Sequence, residues 1–150
     1  MVSAPTAVIL VTLLLALPAT SDARTVKKVI ITETGQNAEP DDVDMTERCK
    51  IFQPTVAQVK RYFSKAYPVE GYVITTERYS PCYATGVVKF SDNSFGEFRL
   101  RSSGTATLYW NRGDSVYLLY KHNKWGDPLA TALVPKESAR NKTPRNPKRS

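Results

Sequence analysis

The chain has 150 residues, of which 41% are hydrophobic and 23% charged, a size and composition that suit one globular domain. Two cysteines and one histidine fall short of a closed four-ligand zinc site, and no Cys-x-x-Cys occurs. The formal net charge of +7 favours anionic partners such as nucleic acid, anionic lipid, acidic polysaccharide or an acidic protein face.

Residues 7–17 form an uncharged apolar run that Pro18 breaks, and the small residues Ala19, Thr20, Ser21 and Ala23 follow. This pattern reads as an export signal over residues 1–23, cleaved near Ser21 or Ala23. The run is too short for a bilayer, which takes about 20 apolar residues. The expectation is a secreted or periplasmic protein with no transmembrane segment after cleavage. In an oxidising compartment Cys49 and Cys82 most simply form one disulfide, which stabilises the fold by roughly 3–4 kcal/mol in the chain-entropy model.

Residues 24–47 read as an amino-terminal strand and an acidic linker. The strand covers residues 25–34, which are rich in β-branched side chains. Residues 33–47 hold six acids and no base, with Gly, Asn and Pro among them. Such a segment has little apolar surface to bury. Nothing in the pattern decides whether the strand joins a sheet.

Residues 48–134 read as an α+β domain. Thr55 and Gln58 have capping-box spacing and open a helix over residues 56–66. Val56, Val59, Phe63 and Ala66 recur on one face of it, while Lys60, Arg61 and Lys65 take the other. Pro68 ends the helix, because the residue before a proline is driven from helical geometry. Residues 71–79 are β-rich and read as a strand.

Three hairpins follow from parity. Ser102-Ser103-Gly104 sets Leu100 opposite Ala106 and places Gly104 where a type I turn with a bulge needs a left-handed residue. A loop centred on Gly113 is expected to pair Trp110 with Val116, Leu108 with Leu118 and Tyr109 with Tyr117. A loop at Asp92-Asn93-Ser94 is expected to pair Val88 with Phe98 and Lys89 with Glu97. These registers agree on one inner face: Val88, Phe90, Phe98, Leu100, Ala106, Leu108, Trp110, Val116, Leu118 and Tyr120.

The predicted architecture is one amphipathic helix packed on one face of a four- or five-stranded antiparallel meander. The order strand, helix, meander resembles that of cystatin-like inhibitor domains. No motif of that family is present, so the analogy implies a fold and no function. Residues 135–150 carry six bases and one acid, with three prolines from Pro135 onward, and read as a disordered basic tail.

A single helix covers one sheet face, so the opposite parity is expected to face water. The candidate binding residues are therefore Arg99, Arg101, Thr107, Tyr109, Tyr117, Leu119 and Lys121. Tyr and Arg are favoured in recognition patches. A protein partner is expected on this face, and an anionic envelope polymer is the candidate partner of the tail. Basic and aromatic residues together also suit single-stranded nucleic acid, but export and the lack of an RNA-binding signature argue against it.

Other motifs carry less. His122 follows the last strand with no supporting spacing for a catalytic arrangement. Arg112-Gly113-Asp114 is an adhesion-type tripeptide but is also ordinary turn chemistry. Asn141-Lys142-Thr143 fits a glycosylation sequon. No phosphate loop, dinucleotide fingerprint or calcium loop occurs, and no catalytic residue, metal or cofactor is assigned. The functional expectation is a small exported binding protein of inhibitor or immunity type, not an enzyme. The alternatives are an envelope-associated protein held by its tail and a hydrolase using His122.

Overall fold

The structure, a computed structural model, describes residues 24–129. The expected signal peptide, the basic tail and the sequon lie outside the described residues.

Six strands form one antiparallel sheet. They are β1 (Val26–Asn37), β2 (Tyr67–Pro68), β3 (Cys82–Phe90), β4 (Phe95–Arg101), β5 (Thr105–Trp110) and β6 (Ser115–Leu119). Their spatial order is β1-β3-β4-β5-β6-β2. The amino-terminal strand thus joins the sheet at its edge beside β3, and the count exceeds the expected four or five. Three helical segments accompany it where one was expected: α1 (Val43–Cys49), α2 (Val56–Lys65) and α3 (Val73–Glu77).

α1 lies within the acidic segment read as a linker. Asp42 caps it by accepting a hydrogen bond from Met45 N at 2.9 Å. Cys49 is its buried residue, and it forms the disulfide with Cys82 at the start of β3. The helix therefore ends where the covalent tie holds it to the sheet.

α2 begins as the sequence predicts. Gln58 N donates to the Thr55 hydroxyl at 3.2 Å, and Thr55 N donates to the Gln58 side-chain oxygen at 2.8 Å. This is the reciprocal capping box. Thr55→Ala is expected to cost about 1 kcal/mol of stability, read as a lower urea midpoint at unchanged slope. α2 buries Val59, Tyr62 and Phe63 against the inner sheet face. Val59 and Phe63 each contribute roughly 1.5–3 kcal/mol by leaving water. Phe63 packs on Phe98 with ring centroids 5.2 Å apart, and Tyr62 OH donates to Leu118 O at 3.1 Å. Burial holds the Tyr62 hydroxyl well above its usual pKa, so it stays a neutral donor.

The inner face has the predicted membership. Val88, Phe90, Phe98, Leu100, Ala106 and Leu108 are buried, and Trp110, Val116, Leu118 and Tyr120 pack against them. The register differs at two hairpins. Val88 pairs with Gly96 and not Phe98, and Lys89 lies opposite Phe95, so the Lys89–Glu97 pair does not form. Leu108 pairs with Val116, Ala106 with Leu118 and Thr107 with Tyr117. Each shift is two residues, which leaves every side chain on its expected face. The cause is common to both turns. Phe90 N bonds to Ser94 O and Trp110 N to Asp114 O, each closing a three-residue loop. The third loop residue is left-handed in each case: Asn93 at φ 64° and Gly113 at φ 102°, as Gly104 is at φ 86°.

Residues 71–79 do not form a strand. Tyr67, Pro68 and Val69 follow β6, with Val69 N donating to Tyr117 O at 2.9 Å. The chain must then return to β3, four strands away. It does so through α3, whose wide winding shows in Arg78 N bonding to Val73 O, five residues back. Val73 and Ile74 are buried although they stand apart from the inner core. Arg78 reaches Ser103 O at 3.3 Å, and Ser80 shares a hydrogen bond with Ser102 at 2.7 Å. The segment is a strap across the outer sheet face.

Candidate functional site

The pairings lay out the outer face as rows. Tyr83 pairs with Arg101; Thr85 with Arg99, then Thr107, then Tyr117; Val87 with Glu97, then Tyr109, then Ser115. Thr105 pairs with Leu119 at the end nearest the strap.

The strap decides which of these reach solvent. Thr107 and Leu119, expected to be exposed, are 2% and 3% exposed. Thr105 is fully buried beside them. Val73 and Ile74 of the strap are themselves buried outside the inner core, and Gly71 of the strap backs onto the Tyr117 ring of the same face. Two members of the expected binding set are thus outer-core residues.

Arg99, Tyr109, Tyr117 and Lys121 remain exposed, and Arg101 is half-buried. Lys121 lies past the end of β6 and stands off the paired face. Tyr117 rests at the margin, where Gly71 of the strap backs onto its ring. Tyr109 is half exposed at the centre of the open area. The Arg99 guanidinium lies 4.6 Å from the Tyr83 ring centroid, a cation–π contact that orients it over the sheet. Arg101 Nη1 donates to Thr107 Oγ1 at 3.4 Å. Burial, and then the like charge of Arg99, press its pKa below the ordinary arginine value.

Between these residues lies a shallow depression of about 360 Å³, lined by Thr32, Thr85, Val87, Glu97, Arg99 and Tyr109 among others. Its rim carries both charge signs, so the patch is mixed where a basic one was expected. Tyr83, under the Arg99 guanidinium, adjoins it and is absent from the residues expected there. Tyr83 shares odd parity with Thr85 and Val87, and that alternation is the signal that finds it. Tyr79 sits on the strap and donates to Glu39, which raises its pKa, with burial adding to the effect.

The remaining motifs resolve simply. His122 is exposed beside Tyr120 and has no hydrogen-bond or ion-pair partner among the described residues. Arg112 and Asp114 grip each other through two nitrogen–oxygen contacts at the hairpin tip, so the tripeptide's charges are mutually engaged. This pairing lowers the pKa of Asp114 and raises that of Arg112. Among the described residues no cluster of three or more His, Cys, Asp or Glu could hold a metal, and no helix is long and apolar enough to cross a membrane. Compared with known proteins, the chain matches no family, no curated sequence and no solved structure.

Proposed function

We propose that this chain is a small exported binding protein, of inhibitor or immunity type, that holds a protein partner on the open part of its outer sheet face. The observation that carries the reading is Tyr109, half exposed amid four paired strands, beside an Arg99 held in place over Tyr83. Tyrosine and arginine on a rigid platform give contact area at low entropic cost.

The sheet edges favour recognition by a face. β1 breaks register at three places and carries Lys27 and Lys28, while β2 is two residues long and contains Pro68. Bulges, lysines and proline each discourage strand addition. Export rests on the signal-like amino terminus and is supported by the buried disulfide, a bond that persists in oxidising compartments. A cystatin-like plan is supported by the chain order, with β1 beside β3 and the helices between them in sequence.

The test is capture from the native compartment with the wild-type chain, identification of the bound protein, and titration of that protein against variants. Tyr109→Ala with Tyr117→Ala is expected to weaken binding roughly 30-fold or more, since central aromatic anchors carry about 2 kcal/mol or more. Lys121→Ala, which lies off the face, is expected to bind as wild type does. Unchanged affinity in the double tyrosine variant would sink the reading.

A further inference from the structure

A second concavity lies on the opposite, helix-bearing side of the sheet. It measures about 280 Å³, its walls are overwhelmingly apolar, and it lies between α2 and the segment after β6. Tyr120 and Trp125 supply aromatic surface, and Arg61 and Lys124 supply positive charge. Neither base has a carboxylate partner among the described residues, where all three ion pairs lie elsewhere. No acidic residue lines the pocket among those described. Lys60 flanks it on α2, and Lys121 precedes it in the loop.

The walls are fixed before any ligand arrives. Trp125 Nε1 donates to Ser102 O at 2.9 Å, and its ring packs 5.7 Å from both Phe52 and Tyr62. Tyr120 packs against Tyr62 at 6.3 Å, and Tyr120 N donates to Gly104 O at 2.9 Å. Asn123 Nδ2 donates to Tyr120 O at 3.0 Å, which holds the turn between the two aromatic residues. Gln58 reaches Lys124 O at 3.5 Å and ties α2 to the far wall. Preorganised aromatic walls lower the cost of binding. Two unpaired bases at an apolar pocket select negative charge.

We infer that this pocket binds a small aromatic carboxylate, its ring against the Tyr120 and Trp125 surfaces and its carboxylate toward Arg61 and Lys124. The volume suits one or two rings. A neutral ring would leave both bases without a counter-charge, and a bare anion would leave the apolar walls wet. The site lies across the sheet from Tyr109, so it stands or falls independently of the partner-binding face.

The experiment is a titration of the full chain with naphthoate and, separately, with its neutral amide. The readout is the two tryptophan indole N–H signals in amide-proton–nitrogen correlation spectra, assigned with Trp110→Phe. Naphthoate is expected to move the Trp125 signal saturably, with a Kd below about 1 mM, while the Trp110 signal stays in place. The amide is expected to bind at least about tenfold more weakly. Arg61→Gln with Lys124→Gln, both exposed positions, is expected to weaken naphthoate at least about tenfold and leave the amide unchanged. No saturable shift at Trp125, equal binding of acid and amide, or full naphthoate affinity in the double variant would each overturn the assignment.

Discussion

Replacing both Cys49 and Cys82 with alanine is expected to lower the unfolding free energy by about 3–4 kcal/mol. The two residues are separated by 33 positions, and closing a loop of that length removes this much entropy from the unfolded chain. For a domain of this size the loss corresponds to roughly 15–25 °C in Tm. Alanine is the right replacement, since both cysteines are fully buried and a serine hydroxyl would add an unpaired polar group.

The loss has a predicted location. Cys49 is the buried residue of α1, while Val43 and Ile51 at its ends are 71% and 69% exposed. A seven-residue helix is far below the length that is stable in water. Without the bond, α1 is held on β1 by Met45 against the core and by Asn37 Nδ2 donating to Asp42 O and Thr46 Oγ1, weak ties for so short a helix. Amide hydrogen exchange in the alanine variant should therefore rise first in Val43–Cys49, with the β3–β5 amides exchanging by global unfolding. Wild-type protection of α1 in that variant would show that packing, and not the covalent tie, holds it.

α1 also marks where sequence reading stops. Its acids and the Pro40 before it have the composition of a linker; the Cys49–Cys82 bond is legible, but not that the chain ahead of Cys49 coils into a helix on β1. Residues 71–79 fail for a related reason. Val73, Ile74, Thr75 and Thr76 have strand propensity, but the β6 edge is already taken by Tyr67–Pro68 and the chain must cross back to Cys82. Topology overrides propensity there. The same override hides Thr107 and Leu119, which parity places on the correct face but cannot expose.

What local chemistry can decide is legible. The Thr55 and Gln58 spacing locates the start of α2, and period two assigns every inner-face residue from Val88 to Tyr120. Register follows correctly only at Gly104, where the third loop residue is required to be left-handed. Asn93 and Gly113 obey the same requirement. Extended to them, it removes both two-residue shifts. Arg99 and Tyr109 are legible as exposed from parity alone, although the same parity fails for Thr107 in Arg99's own row. The pocket at Trp125 is not, since it needs the segment after β6 to fold back onto Tyr62 and Phe52.

Gly86→Ala is expected to destabilise the protein by about 3 kcal/mol or more, although alanine is a mild addition in most strands. Gly86 lies in β3, paired with Ile31 of β1 on one side and Phe98 of β4 on the other. A Cβ there would collide with the Ile30 carbonyl oxygen and would meet Phe98 Cζ at 2.7 Å. Phe98 is almost wholly buried and packs on Phe63 of α2, so its ring cannot swing aside without disturbing the helix. The carbonyl belongs to β1 backbone, so it cannot yield without opening the β1–β3 pairing. The two obstacles can be separated. Phe98→Leu in the Gly86→Ala background should relieve only the ring's share, leaving the β1 amides near Ile30 poorly protected from exchange. Gly126→Ala is the control: a methyl group added there would meet nothing within 4 Å, and a change within about 0.5 kcal/mol is expected. A Gly86→Ala variant as stable as wild type would mean that β1 lies farther from β3 than the pairing of Ile31 with Gly86 requires. The edge position of β1, and the row that brings Thr32 beside Thr85 and Arg99, would then need redrawing.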